Sequence, residues 1–126
     1  MEWTPVAIST GAVLGALCRY FLTLLWIRYR GVAFPYGTLF VNLTGALMIG
    51  FWTTWSAQAG LLSLPLQKFM LVGFLGAYTT FSSFILDTVN LFKANQKALG
   101  ISYWFGSPLM GLLGVELGIW LAHGLI

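Results

Sequence analysis

Gly73-Phe74-Leu75-Gly76-Ala77-Tyr78-Thr79-Thr80-Phe81-Ser82-Ser83-Phe84-Ile85-Leu86-Asp87 is the stretch whose reading decides the fold. Two glycines and four hydroxyl side chains interrupt an apolar run long enough to cross a bilayer. In water this would be a turn between helices. In hydrocarbon every backbone and hydroxyl group needs a partner within the protein, and irregular backbone survives only when buried or lining a cavity. The spacing therefore predicts a helix broken at membrane depth. Hydroxyls bonding back to their own helix are the ordinary alternative. Four within five positions, preceded by Gly73 and Gly76, exceed what that alternative needs.

Composition supplies the membrane. The 126 residues hold six basic and three acidic side chains, and 59% are hydrophobic. Soluble domains are about 25% charged. Four apolar segments, at 5–27, 37–55, 69–92 and 99–121, approach the roughly 20 residues of a spanning helix. They leave one four-helix transmembrane domain over 1–126, all-α, with no separate soluble unit. The first segment lacks the basic start and small-residue cleavage site of a signal peptide. A single cysteine, Cys18, a single histidine, His123, and three scattered carboxylates assemble no catalytic or metal cluster. The chain is not expected to be an enzyme or to bind nucleic acid.

The loops carry charge unevenly. Arg28, Arg30, Lys93 and Lys97 fall on one predicted side and Lys68 on the other, which by the positive-inside rule puts the first set in the cytoplasm. Tryptophans 3, 26, 52, 55 and 104 fall near helix ends, where aromatic anchors belong. Gly11 and Gly15, Ala46 and Gly50, and Gly114 and Gly118 are small residues four apart, the spacing that lets helices approach closely in lipid. They point to association, with some of these contacts within the subunit and a homodimer expected.

Polar groups at depth are the candidate functional residues. Arg19 is either a snorkelling arginine or a fixed positive charge in a vestibule. Asn42 is either helix–helix glue or an amide donor to an anion. Phe81 and Phe84, three apart, share a helix face. They either pack in the core or turn their positive ring edges toward an anion. Tyr103, Ser107 and Gly111 form a polar line on the last helix, which Pro108 must kink or deprive of a hydrogen bond. Glu116 is an intramembrane carboxylate without an evident role.

These residues resemble the Fluc (CrcB-type) fluoride channels of bacteria across the whole chain. The resemblance rests on Gly15-Ala16-xx-Arg19-Tyr20, Gly37-Thr38-Leu39-x-Val41-Asn42-xx-Gly45, Tyr103-xxx-Ser107-xxx-Gly111 and, above all, Thr79-Thr80-Phe81-Ser82-Ser83-Phe84. It implies an antiparallel, dual-topology homodimer in the bacterial inner membrane, with the third helix broken near the midplane. Fluoride would leave the cytoplasm passively through two pores, protecting the cell. Asn42, Phe81, Ser82, Ser83, Phe84, Tyr103 and Ser107 match pore or polar-track positions, and Arg19 a structural or vestibular one. Gly76 and Thr79 match carbonyls that hold a structural sodium ion at the dimer centre. Ser83 replaces a usual threonine, and Asp87 a usual glutamate. The alternative is a proton-coupled small-multidrug-type exporter, which would need a carboxylate in the first helix where this chain has Arg19.

Overall fold

In a computed structural model that describes residues 3–60 and 62–125, every regular element is helical. Helix α1 spans Trp3–Arg30 and α2 Tyr36–Ala59. Short α3, Leu64–Lys68, passes into a π-helical stretch, Phe69–Phe74, and then into α4, Leu75–Tyr78. Helix α5 is Phe81–Lys93 and α6 is Lys97–Gly124. The helices overrun the predicted apolar segments because their hydrogen bonds are internal to the backbone and continue through polar residues such as Arg28, Gln58, Gln67 and Lys97. Backbone chemistry then stops them: Gly31 and Gly60 adopt left-handed φ values of 76° and 62° just past α1 and α2, a conformation glycine adopts at low steric cost. Helix α6 runs unbroken through Pro108.

Among the described residues, three spans are long and apolar enough to cross a membrane: Trp3–Arg30, Leu64–Lys93 and Lys97–Gly124. Helix α2 is long enough too, but Thr38, Asn42, Thr44, Thr53 and Thr54 dilute its hydropathy. Leu109, Leu112, Leu113, Leu117 and Trp120 of α6, and Val13, Leu17, Phe21 and Leu24 of α1, face outward. An exposed apolar surface of that extent belongs against lipid.

Small residues determine which helices touch. A Cβ on Gly11 would overlap the Phe69 carbonyl, and one on Gly15 the Phe74 carbonyl; Gly73 meets the Ile8 carbonyl in return. Helix α1 therefore lies directly against the π-helical stretch. Likewise Gly50 admits the Val115 carbonyl and Gly118 the Leu47 carbonyl, joining α2 to α6. Gly11, Gly15, Gly50 and Gly118 thus serve contacts within the chain, one of the uses their spacing allows. Two buried clusters fill the remaining space. Val41, Leu75 and Tyr78 form one, where the Tyr78 hydroxyl meets Thr44 Oγ1 at 2.9 Å. Phe84, Leu91 and Tyr103 form the other, joining α5 to α6.

Between α4 and α5 the backbone is extended at Thr79 (φ −84°, ψ 157°) and Thr80 (φ −150°, ψ 121°). Side chains take over the hydrogen bonds that the helix gives up. Thr80 N donates to Asn42 Oδ1 at 2.7 Å while Asn42 Nδ2 donates to Thr80 O at 2.9 Å. One amide thus clamps both faces of a peptide residue, as a neighbouring strand would. Arg19 Nε donates to Ala77 O at 3.0 Å, placing positive charge at the C-terminal end of α4, where the helix dipole favours it. Thr80 Oγ1 caps α5 by accepting from Ser83 N at 3.2 Å. Gly45 lets α2 come this close, since a Cβ there would overlap Thr79 Cγ2.

Two outcomes follow. Gly118→Leu should destabilise the fold by about 2–3 kcal/mol through overpacking of α2 on α6. Gly111→Ala, with open space at its Cβ, should not. The midpoint of thermal unfolding in detergent checks both. Asn42→Leu should cost about 2 kcal/mol by stranding the Thr80 N–H and C=O. Amide exchange at Thr80 should accelerate, and unchanged protection there would remove the clamp from this account.

Candidate functional site

Two cavities border the break and a third opens nearby. The first, about 380 Å³, lies between α2, the break and α6, and is lined by Asn42, Thr79, Thr80, Phe81, Phe84 and Ser107 among others. The second, about 220 Å³, lies on the α1 side, lined by Ala16, Arg19, Tyr20, Thr23, Thr38, Thr80 and Ser83. The third, an outer cleft of about 300 Å³, opens beneath the α1–α2 loop and reaches Thr23, Thr38 and Asp87. Thr80 lines both the first and second, and Thr23 and Thr38 line both the second and third. Shared walls place the three spaces side by side, with the break between the first two.

The two phenylalanines differ in setting although they share a helix face. Phe84 is 5% exposed, its ring 5.1 Å from Tyr103 and stacked on Trp104 at 5.5 Å. Phe81 is 72% exposed, 5.9 Å from Phe84, at the open side of the first cavity. One ring is held by its neighbours and the other stands free at the surface.

The hydroxyl residues divide between the cavities. Ser107 is buried in the first, Ser83 faces the second beside Arg19, and Ser82 is exposed with its hydroxyl 3.3 Å from Thr80 Oγ1. Tyr103 lines none of the three. It is buried between Phe34 and Phe84, and its Oη has no hydrogen-bond partner among the described residues. The polar line expected along α6 is thus split, with Ser107 and Gly111 on the cavity and Tyr103 behind it.

Carbonyl accounting at the break locates the oxygens available to a cation. In an unbroken helix Thr80 N would serve Gly76 O and Ser83 N would serve Thr79 O. Asn42 and the Thr80 hydroxyl have taken those donors. By the same count Ala77 O and Tyr78 O lose Phe81 N and Ser82 N, and Ala77 O accepts from Arg19 Nε instead. The carbonyls released from helical pairing without a replacement donor among the described residues are those of Gly76, Tyr78 and Thr79, whereas Leu75 O accepts from both Thr79 N and Thr79 Oγ1. The donor set fits a small hard cation, which takes neutral oxygen ligands.

Two features escaped sequence reasoning. Thr38, from α2, lines two of the cavities; it stands in the Gly37-Thr38 motif, which gave it no role of its own. Thr80 acts as cap, clamp partner and cavity wall at once. Glu116 is exposed on α6 and lines none of these cavities.

Comparison with known proteins agrees with the motif positions. The family described as "CrcB-like protein, Camphor Resistance (CrcB)" matches residues 6–119. A "Fluoride-specific ion channel FluC" of Synechococcus sp. is 44% identical over 119 residues, 94% of this chain and 92% of the relative. Its counterpart in Trichormus variabilis is 43% identical over 116 residues, 91% and 85% of the two chains. That of Synechocystis sp. is 38% identical over 122 residues, 97% and 94%. With nearly the whole chain matched and the helix break in place, this protein belongs to the CrcB family.

Proposed function

We propose that this chain forms a fluoride-selective channel of the bacterial inner membrane, through which cytoplasmic fluoride leaves passively. The observation that carries the reading is the succession of polar-edged cavities around a helix break, in a chain closely similar to fluoride-specific channels. Fluoride enters a cell as the neutral acid and dissociates in the less acidic cytoplasm. The trapped anion needs only a path, since a negative interior drives it outward by about 2.3 kcal/mol per 100 mV.

The path is assigned to Asn42, Phe81, Phe84 and Ser107 of the first cavity and Ser83 of the second, with Ser82 and Tyr103, which line neither cavity, included on the family resemblance. Asn42 uses one amide hydrogen on Thr80 O; the other remains to donate to an anion. Serine hydroxyls rotate to donate, and phenylalanine edges carry partial positive charge. Such weak, closely spaced donors suit a small anion that must bind and still leave, and fit chloride poorly. Arg19 supplies fixed positive charge to the second cavity while tied to Ala77 O. The proton-coupled exporter is disfavoured because Glu116, the only carboxylate proposed to substitute for a first-helix acid, stands away from these cavities.

The assembly we propose is an antiparallel homodimer inserted in both orientations, with α2 spanning alongside the three more apolar helices. A second copy would cover exposed Phe81 and bring its own Gly76 and Thr79 carbonyls to the centre. A sodium ion held there by four carbonyls would be structural, neutralising partial negative charge between the subunits.

Phe81→Ile and Phe84→Ile should each suppress fluoride efflux from liposomes, read with a fluoride electrode, by at least about tenfold while thermal stability is largely kept. Undiminished flux in both would remove the rings from the path. Exchanging sodium for a large organic cation should lower the dimer fraction in light scattering. A dimer indifferent to sodium would reject the structural ion.

A further inference from the structure

Among the described residues, two buried side-chain polar atoms lack a hydrogen-bond partner: Asp87 Oδ2 on α5 and Tyr103 Oη on α6. The fold puts them in one place. Phe84, Asp87 and Leu91 recur at the spacing of a single helix face. Phe84 and Leu91 form one buried cluster with Tyr103, whose ring lies 5.1 Å from that of Phe84. Asp87 therefore stands on the α5 face that packs on Tyr103. Phe34 bounds the same space, meeting the Tyr103 ring edge-on at 5.6 Å while lining the outer cleft together with Asp87. The carboxylate is close enough to act electrostatically on the Tyr103 hydroxyl. Neither atom is open to solvent, so water cannot partner either one without displacing side chains.

We propose that Tyr103 Oη–H donates to Asp87 Oδ2, and that this pair is a strut positioning the Phe84 ring. Left apart, each group carries its full desolvation penalty, whereas a small side-chain rotation satisfies both at once. A phenol has one proton to give and a carboxylate only accepts, so the direction of the bond is fixed. On its other side Asp87 lines the outer cleft, with the Thr38 hydroxyl beside it. The bond ties α5 to α6 directly behind Phe84, whose ring is held between Tyr103 and the stacked Trp104. Asp87 reaches the first cavity only through that ring, since it lines no part of the cavity itself. This role rests on the proposed fluoride path, in which Phe84 is a wall, and makes Asp87 a positioning residue for it.

The direction in which two substitutions move stability tests the bond. Were the groups unpaired, Tyr103→Phe and Asp87→Leu would each remove a buried unsatisfied atom and raise the midpoint of thermal unfolding. With the bond, each leaves its partner unpaired and should lower the midpoint by about 5 °C. The double variant should recover to within about 2 °C of wild type. Asp87→Asn keeps an acceptor and loses the charge. It should hold the midpoint near wild type and keep most fluoride efflux from liposomes, where Asp87→Leu loses most of it. The Tyr103 Cζ resonance, assigned by its absence in Tyr103→Phe, should move in Asp87→Leu and return in Asp87→Asn. A midpoint unchanged or raised in Tyr103→Phe overturns the bond, and this variant decides alone should Asp87→Leu fail to fold. An Asp87→Asn variant as impaired as Asp87→Leu also overturns it, and wild-type efflux in folded Asp87→Leu overturns the positioning role. Midpoints and resonance are read without fluoride, and efflux against a conducting wild type, so these failures leave the channel reading standing.

Discussion

The constraint on which the structure depends is the set of peptide groups exposed by breaking a helix where water is scarce. Each unsatisfied group in hydrocarbon costs several kcal/mol, so the break persists only with substitutes at hand. Asn42 supplies two of them to Thr80, Arg19 one to Ala77, and the Thr80 hydroxyl one to Ser83. Arginine and asparagine in apolar helices look costly when considered singly. Against the break they are its hydrogen-bond partners, brought from two other helices to consecutive turns.

Close helix approach is the second requirement, because a short amide cannot reach across a gap. Gly45 brings α2 against Thr79, and Gly11 and Gly15 bring α1 against the π-helical stretch that precedes the break. A π-helical stretch also suits that position, as π segments inside helices often occur at functional sites. Gly50 and Gly118 then join α6 to α2, which sets Ser107 across the first cavity from Asn42. Packing is therefore achieved by backbone contact, and the large apolar side chains are left to face lipid.

Much of this was legible in the sequence. Glycines and hydroxyls concentrated within 73–83 mark the break, since few residue types tolerate non-helical backbone there. The four apolar segments mark the helices, although their ends were read short because periodicity and hydropathy fade before the backbone does. The partners were not legible. Asn42 finds Thr80 across 38 residues and Arg19 finds Ala77 across 58; nothing local distinguishes that clamp from ordinary helix–helix glue. The glycine pairs had the same ambiguity, because the spacing that joins two subunits also joins two helices of one. Tyr103 shared a helix face with Ser107 by spacing, yet ring packing against Phe34 and Phe84 holds it behind the cavity.

What the clamp leaves over motivates the proposed second copy. By occupying the donors of Thr80 and Ser83, Asn42 and the Thr80 hydroxyl release the carbonyls of Gly76 and Thr79, and Gly76 stands at the surface. Phe81 is exposed beside them although Phe84, one turn on, is enclosed. Lipid can cover a phenyl ring, but it offers no donor to a carbonyl. A cation meets that need only if several such oxygens converge. Bringing the same surface of a second chain against the first doubles the oxygens and covers the exposed ring in one step. On the proposed reading, the break that borders the cavities also gives, in the released carbonyls, a reason for two chains to meet there.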